Sequence, residues 1–79
     1  MMYTILICDD DKDIVSALDI YLTSEGYQTV RAYNGKEALR AMDTHEIHLI
    51  LMDVMMRELD GIRTTAKLRE GINVPIILL

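Results

Sequence analysis

The residues best suited to chemistry in this sequence are aspartates that directly follow short apolar runs. Asp9, Asp10 and Asp11 follow one such run, and Asp53 follows another. Carboxylates held close together repel one another unless a cation neutralises them, and ligand sets made only of oxygen suit Mg²⁺. Because Mg²⁺ also bridges phosphate oxygens, a carboxylate beside the ion can act as the nucleophile in phosphoryl transfer. The sequence therefore predicts a magnesium site at Asp9, Asp10 and Asp53, with Asp53 as the residue that accepts the phosphoryl group.

Phosphorylation of Asp53 would turn this site into a switch. An acyl phosphate would add roughly −1.5 to −2 charges, by analogy with phosphorylated hydroxyls, and new acceptor oxygens that can draw in neighbouring loops. The simpler alternative is that the Asp9–Asp11 run is a solvated loop that caps a helix, and that Asp53 only ends a strand. We favour the metal site because the two acidic positions occur together, after the first and third apolar runs of a regular alternation.

The elements that must position these aspartates follow from that alternation. Short apolar runs alternate with segments of helical periodicity, which is typical of a parallel sheet with crossover helices. Asn34 with Glu37 three residues later indicates a helix start, and Gly26 indicates a helix end. The predicted strands are Tyr3–Cys8, Tyr27–Tyr33 (at an edge), His48–Asp53 and Val74–Leu79, and the predicted helices begin near Asp11, Asn34 and Asp60, the third ending at Gly71. Their apolar faces are assigned to Ile14, Leu18, Tyr21 and Leu22, to Ala38, Leu39 and Met42, and to Ile62, Ala66 and either Leu68 or Arg69.

The predicted fold class is α/β, a doubly wound parallel sheet with the element order β-α-β-α-β-α-β. Right-handed crossovers and a strand order of 2-1-3-4 place the carboxyl ends of the first and third strands side by side at the switch point of the sheet. Asp9, Asp10 and Asp53 should then converge.

Composition excludes several other classes of protein. A hydrophobic fraction of 51% argues against disorder in this 79-residue chain, and the lone Cys8 cannot form an internal disulfide, which indicates a reducing, cytoplasmic environment. The net charge is −5 and the basic residues are scattered, so direct nucleic-acid binding is not expected. No apolar run approaches the ~20 residues of a membrane-spanning helix.

Four segments of the sequence match the pattern of a known family: Ile5–Asp11, Leu51–Met56, Asp60–Gly61 and Val74–Leu79. Combined in this order, they resemble response-regulator receiver domains of two-component systems, and in particular the receivers of winged-helix transcription factors. The resemblance implies the flavodoxin-like (CheY-like) fold and a phosphoacceptor that is not itself an enzyme.

The resemblance also implies roles for individual residues. Asp53 would accept the phosphoryl group from a histidine kinase, Asp10 and Asp53 would bind Mg²⁺ directly, and Asp9 would act through water. The backbone carbonyl of Met55 would be a further ligand, and Gly61 would let the loop pass before the third helix. Phosphorylation would promote dimerisation and regulate an attached DNA-binding output domain.

Two features depart from the family pattern. Arg57 stands where the family usually has proline, so the loop beside the site is less constrained. The family's switch hydroxyl and lysine fall after Leu79, so residues 1–79 are expected to be the N-terminal part of a single receiver domain, truncated after the fourth strand. The exposed edge of that strand would then favour a homo-oligomer.

Two competing hypotheses remain. The chain could be a signalling-silent fragment of the flavodoxin-like fold that acts as a self-associating assembly unit. A magnesium-dependent phosphatase is disfavoured, because it requires a second aspartate two residues after the nucleophile, where Met55 stands. His45 and His48 are expected to be surface or packing residues, since no ligand partner occurs at metal-binding spacing.

Overall fold

The computed structural model describes residues 2–56, 61–70 and 73–79. Within them the predicted β-α-β-α-β-α-β order is confirmed. Arg57, Asp60 and Gly71, to which the sequence analysis assigned roles, lie outside the described residues. The elements are β1 (Thr4–Cys8), α1 (Lys12–Ser24), β2 (Gln28–Ala32), α2 (Gly35–Thr44), β3 (Leu49–Met52), α3 (Gly61–Arg69) and β4 (Ile76–Leu78).

The four strands form one parallel sheet with the order β2-β1-β3-β4, as predicted. β1 is central, and its last residue, Cys8, lies beside Ala32 of β2 and Met52 of β3. The predicted edge position of β2 is confirmed. Because the three strands end at the same level, the residues that follow them meet at one edge of the sheet.

β1 is covered on both faces of the sheet, which explains why its residues from Ile5 to Cys8 are all apolar. Successive side chains of a strand point to opposite faces. Leu6 packs in a core with Ile50 and Met52, whereas Ile5 and Ile7 pack with α1 on the other face. A strand buried on both sides has no solvent-facing positions and therefore reads as a continuous apolar run.

Helix α1 begins and ends as the sequence predicts, but its buried face is rotated from the predicted one. Val15 is fully buried, and Leu18 and Leu22 pack beside it. Ile14 and Tyr21 are 45% and 61% exposed, so their assignment to the apolar face was wrong. Each precedes a core residue by one position, and one position turns a side chain about 100° around a helix.

Helix α2 begins at the predicted cap. The Asn34 side chain accepts a hydrogen bond from the Glu37 backbone N–H at 2.9 Å. The Glu37 carboxylate in turn accepts from the Tyr33 backbone N–H at 2.7 Å, one residue before the position that a capping box uses. Ala38 and Ala41 are buried against the sheet, and Leu39 and Met42 pack at the margin of that core.

Helix α3 also buries a different face from the predicted one. Gly61, Thr64 and Leu68 are buried, whereas Ile62 is 66% exposed and Ala66 is exposed. The prediction for Ile62 and Ala66 was wrong because the buried face is formed by positions i, i+3 and i+7, which are Gly61, Thr64 and Leu68. Two of these residues are not large and apolar, so a search for hydrophobic periodicity does not find this face. Of the two residues offered for the last position, Leu68 is buried and Arg69 is exposed.

Strand β4 is shorter than predicted and starts after Pro75. Proline has no N–H to give to a ladder, but the Pro75 carbonyl accepts a hydrogen bond from the Ile50 N–H at 3.0 Å. The pairing continues to the end of the strand, where the Leu79 N–H donates to the Met52 carbonyl at 2.8 Å.

Candidate metal centre

The carboxylates of Asp9, Asp10 and Asp53 converge at the carboxyl edge of the sheet. One oxygen from each lies within 4.8 Å of the others, and the three residues range from buried through exposed. Backbone hydrogen bonds fix this arrangement, because the Asp9 N–H donates to the Ala32 carbonyl at 3.1 Å and the Asp53 N–H donates to the Cys8 carbonyl at 2.9 Å. The three sequence-predicted side chains are therefore brought together, and their roles remain predictions.

The Asp9–Asp11 run is ordered by bonds from its own carboxylates. Asp9 Oδ1 accepts from the Asp11 backbone N–H at 2.9 Å. Asp11 is the N-cap of α1, and its Oδ1 accepts from the backbone N–H groups of Asp13 and Ile14 at 2.9 and 3.3 Å. The capping alternative therefore accounts for Asp11 and leaves Asp9 and Asp10 at the cluster.

Asp53 stands at the start of the loop that follows β3. Its Oδ1 accepts a hydrogen bond from the Met55 backbone N–H at 3.1 Å. The Met55 side chain is 81% exposed, so Met55 meets the site through its backbone. The predicted metal contact of the Met55 carbonyl remains a prediction.

The electrostatics of the cluster favour a cation. Burial raises the pKa of the Asp9 carboxyl, the Asp11 backbone N–H lowers it, and the negative charge of Asp53 raises it again. Like charges at this spacing disfavour simultaneous ionisation unless a positive ion offsets them. Two oxygens on opposite sides of an Mg²⁺ ion lie about 4.2 Å apart, since each Mg–O distance is about 2.1 Å. The oxygen-only donor set and its spread therefore fit Mg²⁺.

Two buried sulfur atoms are in contact close in sequence to Asp9 and Asp53. Cys8 Sγ lies 3.4 Å from Met56 Sδ, and both side chains are buried. Burial, together with nearby negative charges, first that of Asp9, raises the pKa of the Cys8 thiol to about 12. The predicted buried, unpaired cysteine is confirmed, whereas its contact with Met56 could not be read from the sequence, because 48 residues separate the two.

Gly61 supports the Asp53 loop by lying against its backbone. A Cβ atom on Gly61 would lie 2.1 Å from the Asp53 carbonyl oxygen and 2.5 Å from Val54 Cα. The Gly61 N–H donates to the Val54 carbonyl at 3.3 Å. The first residue of α3 thus sets how the residues after Asp53 turn.

The two histidines lie away from the cluster. His48 precedes β3, at the amino edge of the sheet, where its Nδ1 accepts from the Thr4 N–H at 3.0 Å and its ring meets Tyr3 edge-on at 5.3 Å. His45 is exposed and ends α2. The prediction that these are packing and surface residues is confirmed for the described structure.

Among residues 2–56, 61–70 and 73–79, no helix is both long and apolar enough to cross a membrane.

Comparison with known sequences identifies one family over nearly the whole chain. Residues 5–79 match the model of the response regulator receiver domain. The transcriptional regulatory protein YrkP of Bacillus subtilis is 40% identical over 79 residues, which cover all of this chain and 34% of that protein. The alkaline phosphatase synthesis transcriptional regulatory protein PhoP of the same organism is 40% identical over 76 residues, 95% of this chain and 32% of its own length. The chain spans about a third of the length of these curated relatives.

Solved receiver structures share the fold closely. The receiver domain of the Francisella response regulator 1452 superposes with a TM-score of 0.91 at 38% identity, over 96% of this chain and 64% of that one. The response regulator TrrA of Thermotoga maritima, solved in complex with Mg²⁺ and BeF, gives a TM-score of 0.91 at 32% identity, over 98% of this chain and 68% of that one.

Proposed function

The chain belongs to the response regulator receiver domain family, and on that premise we propose that it accepts a phosphoryl group on Asp53 with the help of Mg²⁺. The observation that carries the proposal is the convergence of Asp9, Asp10 and Asp53, each with a carboxylate oxygen within 4.8 Å of the others. The complex of TrrA with Mg²⁺ and BeF supports the choice of ion. Asp10 and Asp53 would bind Mg²⁺ directly, Asp9 would hold it through water, and the Met55 carbonyl would complete the protein ligands.

The reaction follows from the position of the Asp53 carboxylate. One Asp53 oxygen attacks phosphorus in line with the bond to the leaving group, so that a P–O bond forms as the donor's P–N bond breaks. The bonding electron pair of that P–N bond leaves with the donor nitrogen. Mg²⁺, when bound, supplies charge neutralisation for the phosphoryl oxygens. The hydrogen bond from the Met55 N–H to Asp53 Oδ1 orients the carboxylate and leaves its other oxygen for attack.

The phosphodonor in this proposal is a histidine kinase, and the phosphorylated chain controls an output domain rather than acting as an enzyme itself. The curated relatives are transcriptional regulators of which this chain corresponds to about a third. We therefore propose a DNA-binding transcriptional output in the cytoplasm.

The proposal is tested by the intact mass of the protein after incubation with MgCl₂ and acetyl phosphate. We expect one phosphoryl adduct, absent without Mg²⁺ and absent in Asp53→Asn. Asp43→Asn is the matched control, because Asp43 is an exposed aspartate of α2 outside the cluster. An adduct that persists in Asp53→Asn, or a folded wild type that gains none, would refute the proposal.

A second candidate function is self-association through β4, and it rests on a separate observation. Ile77, Leu78 and Leu79 are 48%, 50% and 54% exposed, and in the described part of the chain β4 pairs with a neighbour on one side only. Unpaired strand edges template association with another chain. Light scattering of the unphosphorylated protein should then give the mass of a dimer or larger assembly, and Ile77→Lys should return it to a monomer. A monomer at high concentration would contradict this candidate.

A further inference from the structure

The first residue of α1 carries a cation that is held by an aromatic ring. The Lys12 ammonium lies over the ring of Tyr33, 5.5 Å from its centroid. A cation within about 6 Å of an aromatic face is attracted to it. Lys12 follows Asp10 by two positions in the chain and carries its charge on a flexible stem.

The Tyr33 ring is itself held in place. The backbone N–H of Tyr33 donates to Glu37 Oε1 at 2.7 Å, and the Tyr33 hydroxyl lies 3.5 Å from Arg31 Nη1. Arg31 is fixed in turn by an ion pair with Asp19 of α1, at 2.6 Å. The ring also packs against the core that contains Val15. Tyr33 therefore offers Lys12 a face whose orientation is already set.

The position of the ring decides the direction in which Lys12 is held. Tyr33 follows β2, and Asp53 follows β3, on opposite sides of the central strand β1. The ring that holds the ammonium is thus on the β2 side of β1, whereas Asp53 is on the β3 side.

We propose that Tyr33 is a positioning residue that keeps the Lys12 ammonium off the acidic cluster, so that Mg²⁺ neutralises the carboxylates instead. This inference rests on the proposed function. Without the ring, Lys12 would spend more time against the carboxylates and compete with the ion. The shift in population cannot exceed the strength of the tether, and an exposed cation–π contact corresponds to about a two- to five-fold change in an equilibrium.

The test is a double-mutant cycle on Mg²⁺ affinity, measured by calorimetric titration with MgCl₂ at low ionic strength. We expect Tyr33→Leu to weaken Mg²⁺ binding about two- to five-fold. Tyr33→Leu combined with Lys12→Gln should bind as well as Lys12→Gln alone, because the competing charge is gone. Tyr21→Leu removes an exposed tyrosine of α1 and should change nothing.

A purely structural role of Tyr33 would weaken Mg²⁺ binding equally with and without Lys12, and that result would overturn the inference while leaving the proposed function intact. A folded wild type that binds no Mg²⁺ would refute the proposed metal site itself. The tether is also measurable in the wild type, since a ring beneath the ammonium shifts the Lys12 ε-proton resonances upfield. Lys12 ε-protons at random-coil positions, unchanged by Tyr33→Leu, would overturn the inference even if that variant folds poorly.

Discussion

Adding one methyl group at Gly61 should displace the backbone of Asp53 and so disturb the candidate metal site. The Cβ of Gly61→Ala would lie 2.1 Å from the Asp53 carbonyl oxygen, about 0.9 Å short of the 3.0 Å below which such contacts are not found. The atoms it meets belong to the backbone of Asp53 and Val54, which cannot rotate away as a side chain can. The loop after β3 must therefore move by about an ångström, together with the Asp53 carboxylate.

The expected loss of stability follows from this overlap. Overpacking costs about 1–3 kcal/mol, and the better helix propensity of alanine returns at most ~1 kcal/mol. We expect a net loss of about 1–2 kcal/mol, which lowers the Tm of a domain of this size by about 4–16 °C. A displacement of about 1 Å at a reacting group can cost on the order of 10²-fold in rate. Phosphorylation by acetyl phosphate, followed by intact mass under conditions where the variant is folded, should slow by that order.

Gly26→Ala is the matched control for this prediction. Gly26 has φ +94° and open space around its Cβ position, at the opposite edge of the sheet from Asp53. An alanine there costs about 1–2 kcal/mol through backbone strain alone. It should lower the Tm and leave the phosphorylation rate unchanged. If Gly61→Ala were as stable and as reactive as wild type, or if Gly26→Ala slowed the reaction equally, the argument from the close approach would be refuted.

Two further predictions concern groups whose pKa is shifted. Burial, and then the charge of Asp9, raises the pKa of the Cys8 thiol to about 12. Iodoacetamide at pH 8 should therefore alkylate the native protein at least about 100-fold more slowly than the urea-unfolded chain. Equal rates of alkylation would contradict this prediction. The pKa of Asp19 is lowered in the folded protein, chiefly by the hydrogen bond from Thr29. The ionised carboxylate therefore stabilises the fold at any pH above the pKa of an unfolded-chain aspartate, about 3.9, and this stabilisation is lost as the pH falls through the lower pKa of the folded state. Urea midpoints between pH 7 and pH 2 should therefore fall more steeply in wild type than in Asp19→Asn, and parallel curves would count against this prediction.

The elements of the fold were largely readable because each has a local signal. Asn34 and Gly26 mark a helix start and a helix end through side-chain capping and a positive φ, which depend on neighbouring residues only. The faces of the helices were less readable. Ile14 and Ile62 are apolar yet exposed, because which side of a helix meets the sheet is set by the crossover and not by hydrophobicity alone.

The sequence by itself determined the parallel α/β sheet and the aspartates at its carboxyl edge, because strand length, helical periodicity and strand-end carboxylates are properties of short segments. Only the tertiary structure decided which groups support them. Three contacts join residues that lie apart in the sequence. They are the contact of Cys8 with Met56, the close approach of Gly61 to Asp53, and the cation–π contact of Lys12 with Tyr33. Such contacts depend on how the helices and loops pack on the sheet. That packing is set by the free energy of the whole folded chain, and no short segment of sequence encodes it.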